Sequence, residues 1–220
     1  MADYIRVAYD ESVRPRTDYP LKLCRHLYDW FGMKPGSRLL EAGCGRGEFL
    51  AGFKSLGLEA YGADLSQEAQ SHVPDIPVKV CDFESAGILY PEGFFDVVYS
   101  KSLLEHMHKP ERYMAEAFRV LKPGGLLLTL VPDWESNYKV YFDDHTHRTP
   151  FARPALLDIY KQSDFVDVEV TLFRQLPVVW RFPILNLFCD AIGPFIPFRT
   201  EISFLKWSKL LMLVGSGRKP

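Results

Sequence analysis

Residues 39–49 read Leu-Leu-Glu-Ala-Gly-Cys-Gly-Arg-Gly-Glu-Phe. An apolar run leads into a glycine-rich turn, and the turn opens a helix. Glycines 43, 45 and 47 carry no Cβ, so a ligand can lie directly against that backbone. The helix behind them offers free N–H groups and a positive dipole end, which suits an anion. The flanking chain alternates. SRLLEAG (37–43) reads as a buried strand, 47–56 as a helix ended by Gly57, LEAYGAD (58–64) as a second strand, and 66–72 as a short helix. IPVKVCD (76–82) and FFDVVYS (94–100) read as the third and fourth strands. A helix over 110–121 then meets a turn at Lys122-Pro123-Gly124-Gly125, and LLLTLV (126–131) is the fifth strand. Strand, helix and strand at this spacing predict βαβ units and a mostly parallel sheet. Such sheets bind ligands beyond the carboxyl ends of their strands, here near Glu41–Gly47, Asp64, Asp82, Ser100 and Pro132–Trp134.

Composition sets the bounds. The 220 residues are 47% hydrophobic and 25% charged, close to the globular average, which excludes a disordered, collagenous or coiled-coil chain. A single domain over 1–220 is expected, with an N-terminal helix and lid (1–36), a core (37–175), an apolar insertion (176–208) and a closing strand (209–220). Lys and Arg total 26 against 28 Asp and Glu, so no surface built for nucleic-acid phosphate is expected. Cys24, Cys44, Cys81 and Cys189 form no CxxC pair, which argues against a zinc site and a disulfide framework and for a reducing compartment. The first sixteen residues are polar and lack the apolar core of a secretory signal. The expected place is the cytoplasm, with a membrane-peripheral variant raised by the insertion.

Two cofactor readings compete at the glycine turn. A dinucleotide fingerprint has the form G-x-G-x-x-G. Here the residue three after Gly45 is Glu48, a carboxylate that would repel a pyrophosphate. The observed E-x-G-x-G-x-G pattern resembles motif I of the class I S-adenosylmethionine (SAM) methyltransferases. Further segments match in order: Asp64 in GADLS, Cys81-Asp82-Phe83, and FFDVVYSKSLLEHMHKPERYMAEAFRVLKPGGLLL (94–128). The match is dense over 36–132, and the LEH turn is most similar to the ubiquinone and menaquinone biosynthesis type.

The resemblance implies a Rossmann-like α/β fold: a seven-stranded, mostly parallel sheet with helices on both faces and an antiparallel last strand. It places Glu41, Gly43, Gly45, Asp64, Leu65, Asp82, Phe83 and Ser100 at the cofactor. Asp64 would accept the ribose hydroxyls and Asp82 the adenine amine. Glu41 either ties down the turn amides or lies near the cofactor's amino group. The implied activity is methyl transfer to a small-molecule, saccharide or lipid-linked acceptor, on oxygen by preference. A noncatalytic partner subunit of the same fold and a nicotinamide-dependent oxidoreductase are the alternatives. Tyr99-Ser100-Lys101-Ser102 stands where a nucleic-acid methyltransferase would carry an Asn/Asp-Pro-Pro-Tyr motif.

Candidate proton acceptors lie in two places. His106 follows the fourth strand, on the cofactor side. His145 and His147 sit in the loop 138–151 and alternate, so an extended segment would turn them to the same side. A metal site from Asp143, Asp144, His145 and His147 is the weaker reading, because ligands so close in sequence rarely converge without distant partners. No metal is assigned. Tyr4, Tyr9, Tyr19, Trp134, Tyr138 and Tyr141 are candidate pocket walls, since aromatic faces attract a sulfonium cation. The segment with Tyr4 and Tyr9 is a candidate lid.

A helix over 154–162 and a strand over Val166–Phe173 follow, and KLLMLVGSG (209–217) reads as the closing strand. Between those strands lies the apolar stretch Leu176–Phe198. It holds Arg181, Asn186, Asp190 and four prolines, so a spanning helix is rejected. A connection this long is uncommon without a role. Three readings remain for 176–207: a hydrophobic lid or peripheral membrane contact, a homodimer contact, or packing over the sheet edge.

Overall fold

The structure is a computed structural model that describes residues 15–220. Tyr4 and Tyr9, and with them the expected lid, lie outside the described residues. Helix α1 (Tyr19–Trp30) leads into β1 (Arg38–Ala42), α2 (Glu48–Ser55), β2 (Glu59–Asp64), α3 (Ala69–His72) and β3 (Val78–Val80). Then come β4 (Phe95–Lys101), α4 (Pro110–Val120), β5 (Leu121–Pro132), α5 (Trp134–Asn137), α6 (Arg153–Gln162) and β6 (Val166–Phe173). Three short helices follow, α7 (Pro177–Arg181), α8 (Leu185–Ile192) and α9 (Ser203–Lys209), before β7 (Met212–Arg218).

The seven strands form one sheet in the order β3-β2-β1-β4-β5-β7-β6. Strands β3, β2, β1, β4 and β5 pair in parallel, and β7 runs antiparallel to both its neighbours. The expected Rossmann-like α/β fold and its antiparallel last strand are both present. The order reverses between β1 and β4, and that switch point opens the crevice where such sheets take ligands.

Period-two alternation divides each central strand between two cores. Leu40, Val98, Leu127 and Leu213 point to one face, against Tyr113, Met114 and Ala117 of α4 and Leu156 and Tyr160 of α6. Leu39, Val97, Leu126, Leu128 and Val214 point to the other, against Leu23, Cys24 and Leu27 of α1 and Phe53 of α2. Burial on both faces is what makes β1, β4 and β5 read as nearly continuous apolar runs.

The boundaries differ from the sequence expectation in four places. Strand β5 already begins at Leu121, which pairs with Phe95, so the Lys122–Gly125 segment is drawn into the ladder through a register shift between Phe95 and Val97. Strand β3 keeps only three residues, because past Val80 the Asp82 carboxylate accepts from Glu84 N–H and Ser85 Oγ–H and turns the chain away. Helix α3 starts at Ala69 rather than 66, since Ser66 Oγ accepts from Glu68 N–H in a turn that precedes it. Lys209 ends α9, so the closing strand begins three residues late.

Candidate active site

The glycine turn is fixed from three sides. Asp64, at the end of β2, accepts from Gly45 N–H at 2.7 Å and from Ser66 N–H at 2.9 Å. Gly43 N–H donates to Ala63 C=O at 2.8 Å. All three glycines of the turn have positive φ, which any other L-residue would adopt under strain. At two of them the missing side chain also leaves room for a packed neighbour. A Cβ on Gly47 would meet Val73 Cγ1 at 2.4 Å, and one on Gly43 would meet Leu103 Cδ1 at 3.0 Å.

A cavity of about 1040 Å³ opens above this turn. Its wall takes in Glu41, Gly43, Gly45, Lys101, His106 and His147, with Phe198 and Trp207 contributed by the insertion. Glu41 is 2% exposed and its Oε2 has no hydrogen-bond partner among the described residues. Burial, reinforced by the nearby Asp64 carboxylate, raises its pKa well above the usual carboxylate range. A buried acceptor without a donor, facing a cavity, is a place for an incoming cationic or N–H donor group. Glu48 also lines the wall, paired with Arg46 Nη2 at 3.0 Å.

The remaining predicted cofactor residues stand at other distances from this space. Asp64, Leu65, Asp82, Phe83 and Ser100 do not line the cavity. Leu65 is exposed beside Asp64. Phe83 is buried edge-on to Tyr113, with ring centroids 5.8 Å apart, so its side chain belongs to the core. Asp82 is exposed and holds the turn after β3. Ser100 is 1% exposed and lies opposite Ala42 in the sheet. At that strand end the wall is made by Lys101 and Ser102, which were not among the expected cofactor residues. Their place at the carboxyl end of a central strand is the signal that could have found them.

The histidines sort into a pair and a bystander. His106, in the one-turn 3-10 helix Leu104–His106, and His147 lie with ring centroids 4.8 Å apart. His147 Nδ1 is 2.6 Å from Tyr141 C=O, and since a carbonyl only accepts, Nδ1 carries the proton. His106 Nδ1 is 2.9 Å from Thr146 Oγ1, which itself donates to Asp144 Oδ1 at 2.6 Å. Thr146 therefore accepts from His106, and Nδ1 is the donor in both rings. Burial lowers the His106 pKa and the neighbouring His147 lowers it further, so the ring is neutral near pH 7. The Asp144 carboxylate stays low: burial opposes ionisation, but the Thr146 hydroxyl and amide outweigh it. His145 lines the same cavity but is exposed, because a turn from Asp144 C=O to His147 N–H breaks the extended run.

Glu105 sits directly behind this pair. It is fully buried, neither carboxylate oxygen has a hydrogen-bond partner among the described residues, and burial pushes its pKa up to about 8. Its backbone carbonyl accepts from Arg148 and Thr149 N–H and so anchors the histidine loop. Glu105, His106 and His147 each bring one ligating atom within 4.8 Å of the others, so this is the set that could hold a metal. The expected grouping of Asp143, Asp144, His145 and His147 does not form: Asp143 is drawn off by Arg199 at 2.8 Å, and Asp144 by Thr146. Of the other candidate walls, Tyr19 and Tyr141 reach the cavity, whereas Trp134 and Tyr138 do not.

Known proteins frame this site. A family model described as "Methyltransferase domain" matches residues 16–170. The 2-methyl-6-phytyl-1,4-hydroquinone methyltransferase of Synechocystis sp. is 30% identical over 149 residues, which is 64% of this chain and 46% of the relative. The chain spans less than half the length of several curated relatives that it matches. A SAM-dependent methyltransferase of Archaeoglobus fulgidus superposes with a TM-score of 0.68 at 19% identity, covering 98% of this chain and 100% of that one. The phosphoethanolamine N-methyltransferase 2 of Haemonchus contortus, solved with phosphomonomethylethanolamine and S-adenosylhomocysteine, superposes with a TM-score of 0.64 at 21% identity over 90% of this chain and 52% of that one.

Proposed function

As a member of the class I SAM-dependent methyltransferase family, this chain, we propose, methylates a hydroxyl oxygen of a small-molecule, saccharide or lipid-linked acceptor held beside His106 and His147. Bound SAM supplies an electrophilic methyl group on a positive sulfur, and in-line transfer leaves the neutral thioether S-adenosylhomocysteine. Glu41 suits the cofactor's amino group, because its Oε2 is buried, faces the cavity and has no donor of its own. Asp64 suits the ribose. It ends β2 beside the glycine turn, where its carboxylate already accepts from Gly45 N–H and Ser66 N–H and is held in place.

The observation that carries the oxygen reading is the histidine pair. A hydroxyl must lose its proton as the new C–O bond forms, and an imidazole such as His106, which burial keeps neutral near pH 7, takes it. Both rings are fixed by their Nδ1 bonds, to Tyr141 C=O and to the Thr146–Asp144 relay, so neither must be ordered at the moment of reaction. Lys101, at the carboxyl end of β4, lines the same wall and stabilises negative charge that develops on the attacking oxygen as its proton is withdrawn. Glu48, on the wall and paired with Arg46, weighs against a dinucleotide pyrophosphate at the turn.

The test is turnover of SAM to S-adenosylhomocysteine with hydroxylated acceptors, on wild type, His106→Ala and His147→Ala. Loss of a general base costs roughly 10²–10⁴-fold in turnover. At least one variant is expected to fall in that range with SAM affinity unchanged. Full turnover in both variants would remove the proton-acceptor role. No turnover by wild type with any acceptor would favour the noncatalytic partner subunit.

A further inference from the structure

The insertion between β6 and β7 is inside out. Its own core consists of Leu176, Val179 and Cys189, with Leu185 and Trp207 packed against it. Its exterior carries far more apolar surface: Phe182, Ile184, Leu187, Phe188, Phe195 and Ile202 are each at least half exposed, and Phe195 is 87% exposed. Ile184, the N-cap of α8, and Leu187 and Phe188 within it stand at i, i+3 and i+4, so they share one face. Single exposed apolar residues are ordinary, but a concentration of them on one short segment marks a contact surface.

The polar groups around them identify the partner. Arg181 lies over the Phe182 ring at 5.4 Å, Lys206 over Trp207 at 5.1 Å, and Lys139 over Phe198 at 5.1 Å. All three cations are exposed, in a chain whose net charge is −2. Of the acids nearby, Asp190 is engaged with Arg174 and Asp143 with Arg199, which leaves Glu201 beside Ile202 as the remaining exposed acid of the segment. Apolar side chains with cation–aromatic pairs beside them fit the headgroup zone of a bilayer, where rings bury and cations meet anionic phosphate. Among the described residues no helix is long and apolar enough to cross a membrane, so the contact is peripheral. The same segment reaches the cavity through Phe198, Lys206 and Trp207.

We infer that residues 176–207 dock this protein on an anionic lipid bilayer and that the acceptor is a lipid-linked molecule passed from that bilayer into the cavity; the second half rests on the methyl-transfer reading. The experiment is flotation of the full chain with phosphatidylglycerol/phosphatidylcholine vesicles and with phosphatidylcholine vesicles alone. Wild type is compared with the triple variant Ile184→Ser/Leu187→Ser/Phe188→Ser and with Arg181→Glu. These four side chains lie outside the cavity wall. Wild type is expected to float with the anionic vesicles and far less with the neutral ones. The triple variant should lose at least about tenfold in binding, and Arg181→Glu should weaken it with a smaller salt dependence. Thermal melting and S-adenosylhomocysteine titration on the same preparations should be unchanged, which separates lost docking from lost folding and from failure of the methyl-transfer reading. Absence of flotation by wild type would overturn the proposal. So would a wild-type dimer in sedimentation that the triple variant converts to monomer without any vesicle binding, which would assign the face to a second copy of the chain.

Discussion

Glu105 is the residue most out of place by ordinary rules, a carboxyl with 0% exposure whose oxygens have no close hydrogen-bond partner among the described residues. A group whose pKa rises from 4.5 to about 8 on folding is neutral in both states below pH 4.5, so its full contribution is present there. Between those values only the unfolded chain ionises, and stability falls as pH rises; beyond about 8 no more is lost. Glu105→Gln keeps the shape and removes the ionisation. Denaturant unfolding at pH 5 and pH 8.5 should therefore show a loss in wild type that is smaller in the variant, by on the order of 3 kcal/mol. An equal pH dependence in both would contradict the buried neutral acid. The Glu105-His106 turn was readable as a candidate because it follows a central strand. Its pairing with His147 was not, since the contact runs between segments some forty residues apart and is set by Thr146, Asp144 and the Tyr141 carbonyl. No local pattern encodes such a relay.

Among the elements, α2 and α3 show how the glycine turn is built. Gly47 has φ +70°, and a methyl there would press on Val73 at the end of α3. Gly47→Ala should cost about 1–3 kcal/mol in unfolding free energy through strain and overpacking. Adding Val73→Ala should recover part of that, so the two changes combine to less than their sum. Strict additivity in a double-mutant cycle would place the constraint in the backbone alone. The strands of the central sheet were legible because burial on both faces leaves an unbroken apolar run, and β1, β2 and β4 lie where their sequences put them. The helices of the insertion were not. Prolines 177, 183, 194 and 197 interrupt every helical period there. The short helices are held instead by tertiary bonds from Arg174 to Asn186, Asp190 and Ser208 C=O, and from Trp180 Nε1–H to Arg174 C=O.

At the scale of the whole molecule, the sheet order puts the glycine turn, the end of β4 and the histidine loop around one crevice, and the insertion forms the remaining wall. The strand ends and the glycine turn around that crevice were legible in sequence, because a strand, a glycine turn and an acid on the next strand are local signals repeated in order. The acceptor half does not, because loops from four parts of the chain meet there. The central claim is that this crevice binds SAM with Asp64 as a principal contact. Calorimetric titration of the full chain with S-adenosylhomocysteine, for wild type and Asp64→Ala, tests it most directly. The account predicts micromolar binding to wild type and at least about a tenfold loss in the variant, since hydrogen bonds to a charged acceptor contribute about 1.5–3 kcal/mol. Binding by neither protein, or equal binding by both, would contradict it.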